Sequence, residues 1–453
     1  MGGLCFSAGL VDSDHPYGDS SMSKSRFILT SAFALTVSCA AFATEFQRIP
    51  FYEHLHANPE LSFQEKETAA LLAETWRKAG FDVTEGLGGH GVVGILKNGD
   101  GPMVMLRMDT DALPVKEQTG LAYASQQRAL EQTGQEVDVM HACGHDVHMT
   151  VGTETALNLA ARTSEWQGTL MVIAQPAEER GAGAKAMLEE GLFERFGVPD
   201  YNLSLHTLAT LPAGQIGFVP GWMMANVDSV DIHLKGVGGH GAYPHNAKDP
   251  IVLAASIIMD LQTLVSREIH PVEPGVVTVG SIHAGTKHNI IPDSANLQLT
   301  LRSYSDATRD PLLQGIERIA TKNAEAMGFG PELMPVVEVK DEYTPALWND
   351  PALVERGVEV MKRTIGEANV IEVSKEMGGE DFARYGRTEH KIPSFMIRLG
   401  VVPQAKWDEY QRGEITLPSL HSPFFAPDPD KSIDTGVKAL TAMALDLLSV
   451  GSQ

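Results

Sequence analysis

Two patterns of hydrophobic and polar positions run along the chain. Over residues 46–217, helix-type and strand-type periodicities alternate. Residues 64–79 carry apolar positions at helical spacing and stop at Gly80. Short apolar runs at 91–96 and 103–108 predict strands. A helix follows over 145–161, a strand over 169–174, a helix over 184–196 and a strand over 201–205. This alternation predicts an α/β layer structure with a central, largely parallel sheet. The next stretch differs. A strand at 230–234 leads to a helix at 251–267, opened by Asp249-Pro250, then strands at 276–282 and 295–301, a helix at 308–326 and a strand at 333–339. The order β-α-β-β-α-β is that of a ferredoxin-like α+β unit. It predicts a second domain at 218–342, inserted between two parts of the first, 44–217 and 343–453. The α/β pattern resumes with a helix at 351–365, a strand at 394–399 and a helix at 433–448. Residues 126–137 are polar and predict a surface loop.

The first 43 residues follow neither pattern. Residues 1–21 are polar. From Met22 the chain shows Lys24 and Arg26, an apolar stretch over 27–37, and Ala41-Phe42-Ala43. That is the order of a secretory signal, with translation starting at Met22, cleavage after Ala43 and a periplasmic or secreted product. Of three cysteines (Cys5, Cys39 and Cys143) only Cys143 would survive processing, so no internal disulfide is expected. A lone thiol in an oxidising compartment needs protection, which metal ligation provides. Acidic residues outnumber basic ones, 58 to 35, for a net charge of −23. This balance argues against nucleic acid and anionic lipid as partners. No run of 18 apolar residues occurs after the leader, so no membrane span is expected in the mature chain.

Chemistry collects where predicted strands end, which is where α/β sheets place their sites. Asp109 and Asp111 follow one strand, Glu178 and Glu179 follow another, and His206 follows a third. The segment Met140-His141-Ala142-Cys143-Gly144-His145-Asp146-Val147-His148 puts thiolate, imidazole and carboxylate together, a metal-ligand set too crowded for every member to bind an ion directly. A structural Cys₂His₂ site fails for want of a second cysteine. A cysteine nucleophile activated by His145 is the competing reading. The pair Glu178-Glu179 permits one carboxylate to bind metal and the other to move a proton. Two G-x-G-x-x-G matches, from Gly86 and from Gly236, lack the strand-to-helix context of a dinucleotide site.

The motifs together resemble the M20 metallopeptidases, in particular the amidohydrolase branch with hippurate hydrolase, N-acyl-amino-acid amidohydrolases and auxin-conjugate hydrolases. The likeness is carried by His56-Ala57-Asn58-Pro59-Glu60-Leu61, Asp109-Thr110-Asp111-Ala112-Leu113-Pro114, His141-Ala142-Cys143-Gly144-His145-Asp146, Gln175-Pro176-Ala177-Glu178-Glu179, Gly239-His240-Gly241-Ala242-Tyr243-Pro244-His245, Asn289-Ile290-Ile291-Pro292-Asp293, Gly379-Glu380-Asp381-Phe382 and Leu420-His421-Ser422-Pro423. The resemblance implies a metal-binding α/β domain with an inserted ferredoxin-like lid that forms a homodimer. It implies two divalent metal ions per subunit (zinc, manganese, cobalt or nickel) on Cys143, His145, Glu179, His206 and His421, with Glu178 as general base and Asp111 behind the site. It further implies that His240 reaches the partner subunit's site to polarise the scissile carbonyl, and that Asn289 and Arg302 hold the substrate carboxylate. The implied reaction is hydrolysis of a small N-acyl amino acid. A metallo-dipeptidase or carboxypeptidase with the same site, and a non-catalytic exported binding protein, are the alternatives.

Overall fold

The computed structural model describes residues 46–341 and 343–449; the expected leader lies outside them. Strands β1 (Asp82–Leu87), β2 (Gly91–Asn98) and β3 (Met103–Asp109) come first. A small hairpin, β4 (Arg128–Leu130) and β5 (Glu136–Asp138), occupies the stretch expected to be a plain loop. Then come β6 (Gly168–Gln175), β7 (Tyr201–Pro212), β8 (Ile216–Phe218) and β9 (Gly221–Met224). The second unit contributes β10 (Asp228–Lys235), β11 (Gly239–His240), β12 (Gly275–Ala284), β13 (Ile290–Ile291), β14 (Ser294–Ser303) and β15 (Val336–Val339). The last strands are β16 (Leu347–Asn349), β17 (Val370–Glu372) and β18 (Ser394–Val402).

The main sheet has the order β1-β2-β6-β3-β7-β18-β8-β17. Its centre, β6-β3-β7-β18, is parallel, whereas β1, β2 and β8 join antiparallel to their inner neighbours. The sheet is therefore mixed: the four central strands are parallel, and the edge strand β17 also pairs parallel with β8. Every residue of β18 is buried. Helices Lys66–Lys78, His145–Ala161, Pro351–Ile365 and Pro429–Leu448 cover one face, and Gly183–Glu189 with Leu192–Phe196 pack on the other. The expected helix over 184–196 is two helices because Gly191 adopts φ 88° between them. The last helix starts at Pro429, earlier than expected. There Asp428 accepts from the amide of Lys431, and Asp-Pro opens helices Pro250–Thr263 and Pro351–Ile365 in the same way. β7 runs on past residue 205, so His206 lies inside a strand and not after it.

Residues 230–329 build a separate core, formed by Val230, Ile232, Leu297, Leu299 and the inner faces of helices Pro250–Thr263 and Asp306–Ala326. Its antiparallel sheet has the order β12-β14-β10-β15, the strand arrangement of a ferredoxin-like unit. The stretch Pro250–Glu268 is long and apolar enough to cross a membrane by length and composition alone, yet Leu253, Ala254, Ile257 and Leu261 are buried in this core. The two chain crossings to the main unit lie side by side, where Val227 and Thr344 exchange backbone hydrogen bonds of 2.8 and 3.0 Å.

Candidate metal centre and active site

A cavity of about 560 Å³ opens between the two units and is lined by Cys143, Glu178, Glu179, His206, Arg302 and His421, among others. Gly144, at φ 82°, turns the chain into helix His145–Ala161; a Cβ there would lie 2.8 Å from Thr207 Cγ2. That tight turn sets Cys143 and His145 side by side. Cys143 Sγ is 3.5 Å from His206 Nε2. His145 Nδ1 donates to the backbone oxygen of Asp111 at 2.7 Å, and His206 Nδ1 to that of Thr207 at 2.8 Å. In the neutral ring, each bond fixes the tautomer that leaves Nε2 as the ligand lone pair. His421, 54% exposed at φ 66°, points Nε2 to within 3.5 Å of Glu179 Oε2.

The ligand atoms of Cys143, His145 and His206 lie within 4.8 Å of one another, as do those of Cys143, Glu179 and His421. His145 Nε2 and Glu179 Oε1 are buried without a hydrogen-bond partner. Orphan polar atoms of this kind are costly. Cations at two sites that share Cys143 would satisfy them, and the sulfur, nitrogen and oxygen donors suit first-row divalent metals. Asp109 and His148 also converge with His145 but are spent on other partners. Asp109 binds His148 Nδ1 at 2.5 Å and Arg107 Nη1 at 2.7 Å, while His148 Nε2 accepts from the Thr207 amide. His141 is buried without a partner for either ring nitrogen, and burial lowers it to about 4, so it stays neutral.

Two buried carboxylates shape the glutamate turn. Asp111 accepts from the amides of Glu178 (3.0 Å) and Glu179 (3.1 Å). Glu65 accepts from the amide of Ala177 (2.8 Å), a residue at φ 50°. Three successive amides are thus held, and Glu178, 8% exposed, has its Oε2 3.9 Å from His145 Nε2. Burial, then Glu380 and Glu179, push Glu178 well above the usual carboxylate range. Burial lifts Glu179 to about 7. Burial works to lower His145, but Asp109 and Asp111 raise it to about 10. Burial, with Glu179 and Glu178, pushes the Cys143 thiol well above its ordinary value. A thiol so placed is a poor nucleophile, which removes the support for the cysteine-enzyme reading. As a metal ligand it would give up its proton to a cation.

Behind the turn, Arg107 is fully buried among Asp109, Glu380 (2.9 Å) and Asp381 (3.0 Å), with Gln175 on Nε. Asp381 in turn holds the amide of Ala184. Neither Arg107 nor Glu65 was singled out from the sequence, although a lone arginine in the apolar strand Met103–Asp109 is a visible signal. Arg398 and Glu376 were missed too; both line the cavity. Of the expected residues, Cys143, His145, Glu178, Glu179, His206, His421 and Arg302 gather here, with Asp111 behind. His240 and Asn289 do not. They neighbour each other on the outer part of the second unit, where β11 pairs with β13 and the Gly241 amide bonds the oxygen of Asn289. Both are exposed.

Fold, donor set and flanking carboxylate define a metal-dependent hydrolase of carbon–nitrogen bonds. The chain belongs to peptidase family M20/M25/M40, whose profile matches residues 105–446. It is 37% identical over 357 residues to N-acetylcysteine deacetylase of Bacillus subtilis (strain 168), covering 78% of this chain and 88% of that protein. It is 38% identical over 326 residues to hippurate hydrolase of Campylobacter jejuni subsp. jejuni, covering 72% and 80%. The crystal structure of Bacillus subtilis YXEP, described as a dinuclear metal binding peptidase from the M20 family, superposes with a TM-score of 0.71 at 29% identity, covering 90% of this chain and 99% of that one.

Proposed function

We propose that the protein hydrolyses the amide bond of N-acyl amino acids with aryl or alkyl acyl groups, hippurate among them, to a carboxylic acid and a free amino acid. One observation carries this reading. Glu178 lies beside the donor cluster, where one carboxylate of the Glu178-Glu179 pair can hold metal and the other can move a proton, in a cavity that also holds a guanidinium, Arg302. Cys143, His145, Glu179, His206 and His421 would hold two divalent ions, which supply an acidified water and a Lewis acid when bound. Glu178 takes a proton from the attacking water and passes it to the departing amine nitrogen. The Arg302 guanidinium, with no hydrogen-bond partner among the described residues, receives the substrate carboxylate. Asp111 keeps both glutamates and the His145 tautomer in place.

The test is a panel of metal-replete assays. N-acyl amino acids are expected to turn over faster than matched dipeptides. The reverse order would make the protein a dipeptidase or carboxypeptidase. No turnover, with stabilisation by the same compounds, would make it a binding protein.

A homodimer through the second unit completes the site in this reading. His240 and Asn289 are exposed away from their own cavity, β12 is a sheet edge, and Ile251, Val252 and Met259 are exposed on the adjoining helix. In the dimer, His240 and Asn289 enter the partner's cavity, His240 to polarise the carbonyl and Asn289 to help hold the carboxylate. Subunits bearing His240→Ala and Glu178→Ala are each expected to be inactive as homodimers. Their heterodimer has one intact site and is expected to regain activity. Verified heterodimers without activity would end the cross-subunit role.

A further inference from the structure

Three arginines line the cavity, Arg180, Arg302 and Arg398, and the reading above uses only Arg302. Arg398 is the in-register neighbour of His206 across β18 and β7. Its side chain is 3% exposed. Arg107, on the same sheet and as deeply buried, shows what such a group requires: three carboxylates and an amide oxygen. A guanidinium carries five N–H donors, and leaving buried ones unmatched is costly. Arg398 has one carboxylate oxygen, Glu376 Oε2 at 2.6 Å, and the sulfur of Met224 at 3.9 Å, a weak acceptor. Arg398 lines the cavity, so its remaining donors are left to whatever enters there.

We propose that Arg398 is a second anion anchor, and that the preferred substrates are N-acyl amino acids with two carboxylates. One binds Arg302 and the other Arg398. The second carboxylate belongs either to the amino-acid side chain or to the acyl group. Glu376 holds the guanidinium from one edge and leaves the other for the ligand, as Asp109 and Asp381 share Arg107. Charge-assisted pairs of this kind are short, directional and strong. A buried guanidinium also gives a dianion a local partner in a chain of net charge −23. This inference rests on the amidohydrolase reading and refines its substrate.

The experiment compares acid and amide members of two matched pairs: N-acetylglutamate with N-acetylglutamine, and N-succinylglycine with N-succinamoylglycine. kcat/KM is measured on the metal-loaded enzyme, and binding is measured by calorimetry on metal-loaded Glu178→Gln. The acid of at least one pair is expected to be favoured about 10- to 100-fold, the size of a charge-assisted hydrogen bond; the pair that shows it tells which end carries the second carboxylate. In Arg398→Met the acid-to-amide ratio is expected to collapse towards one, and in Arg398→Lys to be kept in part. A ratio near one in the wild type for both pairs would overturn the proposal. So would a preference for substrates with an ammonium group, which would point to Glu376, 43% exposed, as the reader. So would an unchanged ratio in Arg398→Met. Should Arg398→Met fail to fold, the wild-type ratio and Arg398→Lys decide. Failure of the enzyme on every pair would defeat the amidohydrolase reading alone, because calorimetry still reports whether the acid binds more tightly.

Discussion

Glu178→Gln is expected to lower kcat by about 10²- to 10⁴-fold at unchanged metal content, the usual contribution of a positioned general base. The substitution keeps the shape of the side chain and the hydrogen bond that the backbone N–H of residue 178 donates to Asp111. It removes the charge that accepts the proton. Burial, Glu380 and Glu179 hold the Glu178 carboxylate well above its ordinary range. Bound cations would oppose that shift and favour the ionised form that accepts a proton. Losing one of several crowded carboxylates is not expected to destabilise the fold. Glu179→Gln supplies the contrast, because it removes a ligand and is expected to lower metal content first. The measurement is hippurate turnover beside metal analysis of the same samples. Full turnover by a metal-replete Glu178→Gln enzyme would take the proton-transfer role away from this residue.

Arg107→Met is expected to cost about 3–5 kcal/mol, because it strands three buried carboxylates without their cation. For a chain of this size that lowers the thermal midpoint by about 3–5 °C. Asp109, Glu380 and Asp381 would all be left facing one another. Burial already lifts Glu380 to about 7 even with the guanidinium present. Removing Arg107 raises Glu380 and Asp381 further above their unfolded values and takes away one of the charges that hold Asp109 below its own. A carboxylate with a raised folded pKa penalises the fold above its unfolded pKa, and the penalty is relieved as pH falls through the folded value. The deficit of Arg107→Met against wild type is therefore expected to be smaller at pH 5 than at pH 8. Thermal melts at both values measure this, and a deficit that grows on acidification would contradict the account.

The parts legible in the sequence were those governed by local spacing or by convergent chemistry. The β-α-β-β-α-β order of the second unit could be read because its strands alternate, as in Ser294–Ser303, where every second residue is buried. The donor cluster could be read because thiol, imidazole and carboxylate rarely crowd together without a metal. The mixed edges of the main sheet could not, since β2 and β8 differ from the central strands in pairing and not in composition. Glu65 was hidden for a related reason: it is an ordinary residue in its own segment and gains its position only across the fold, under Ala177. Arg398, like Arg107, is a lone arginine in an apolar strand, but its place beside His206 comes only from strand pairing. His240 and Asn289 illustrate the opposite limit: their motif is plain, but a single chain does not bring them to the cavity.

Asp111 binds two glutamate amides through its side chain and one histidine through its own carbonyl oxygen. The proposed proton carrier and the proposed metal grip are therefore mechanically one part. Altering this aspartate would disturb both at once, and its variants could not tell which had failed; the informative lesions are those one step outward, where the two functions separate.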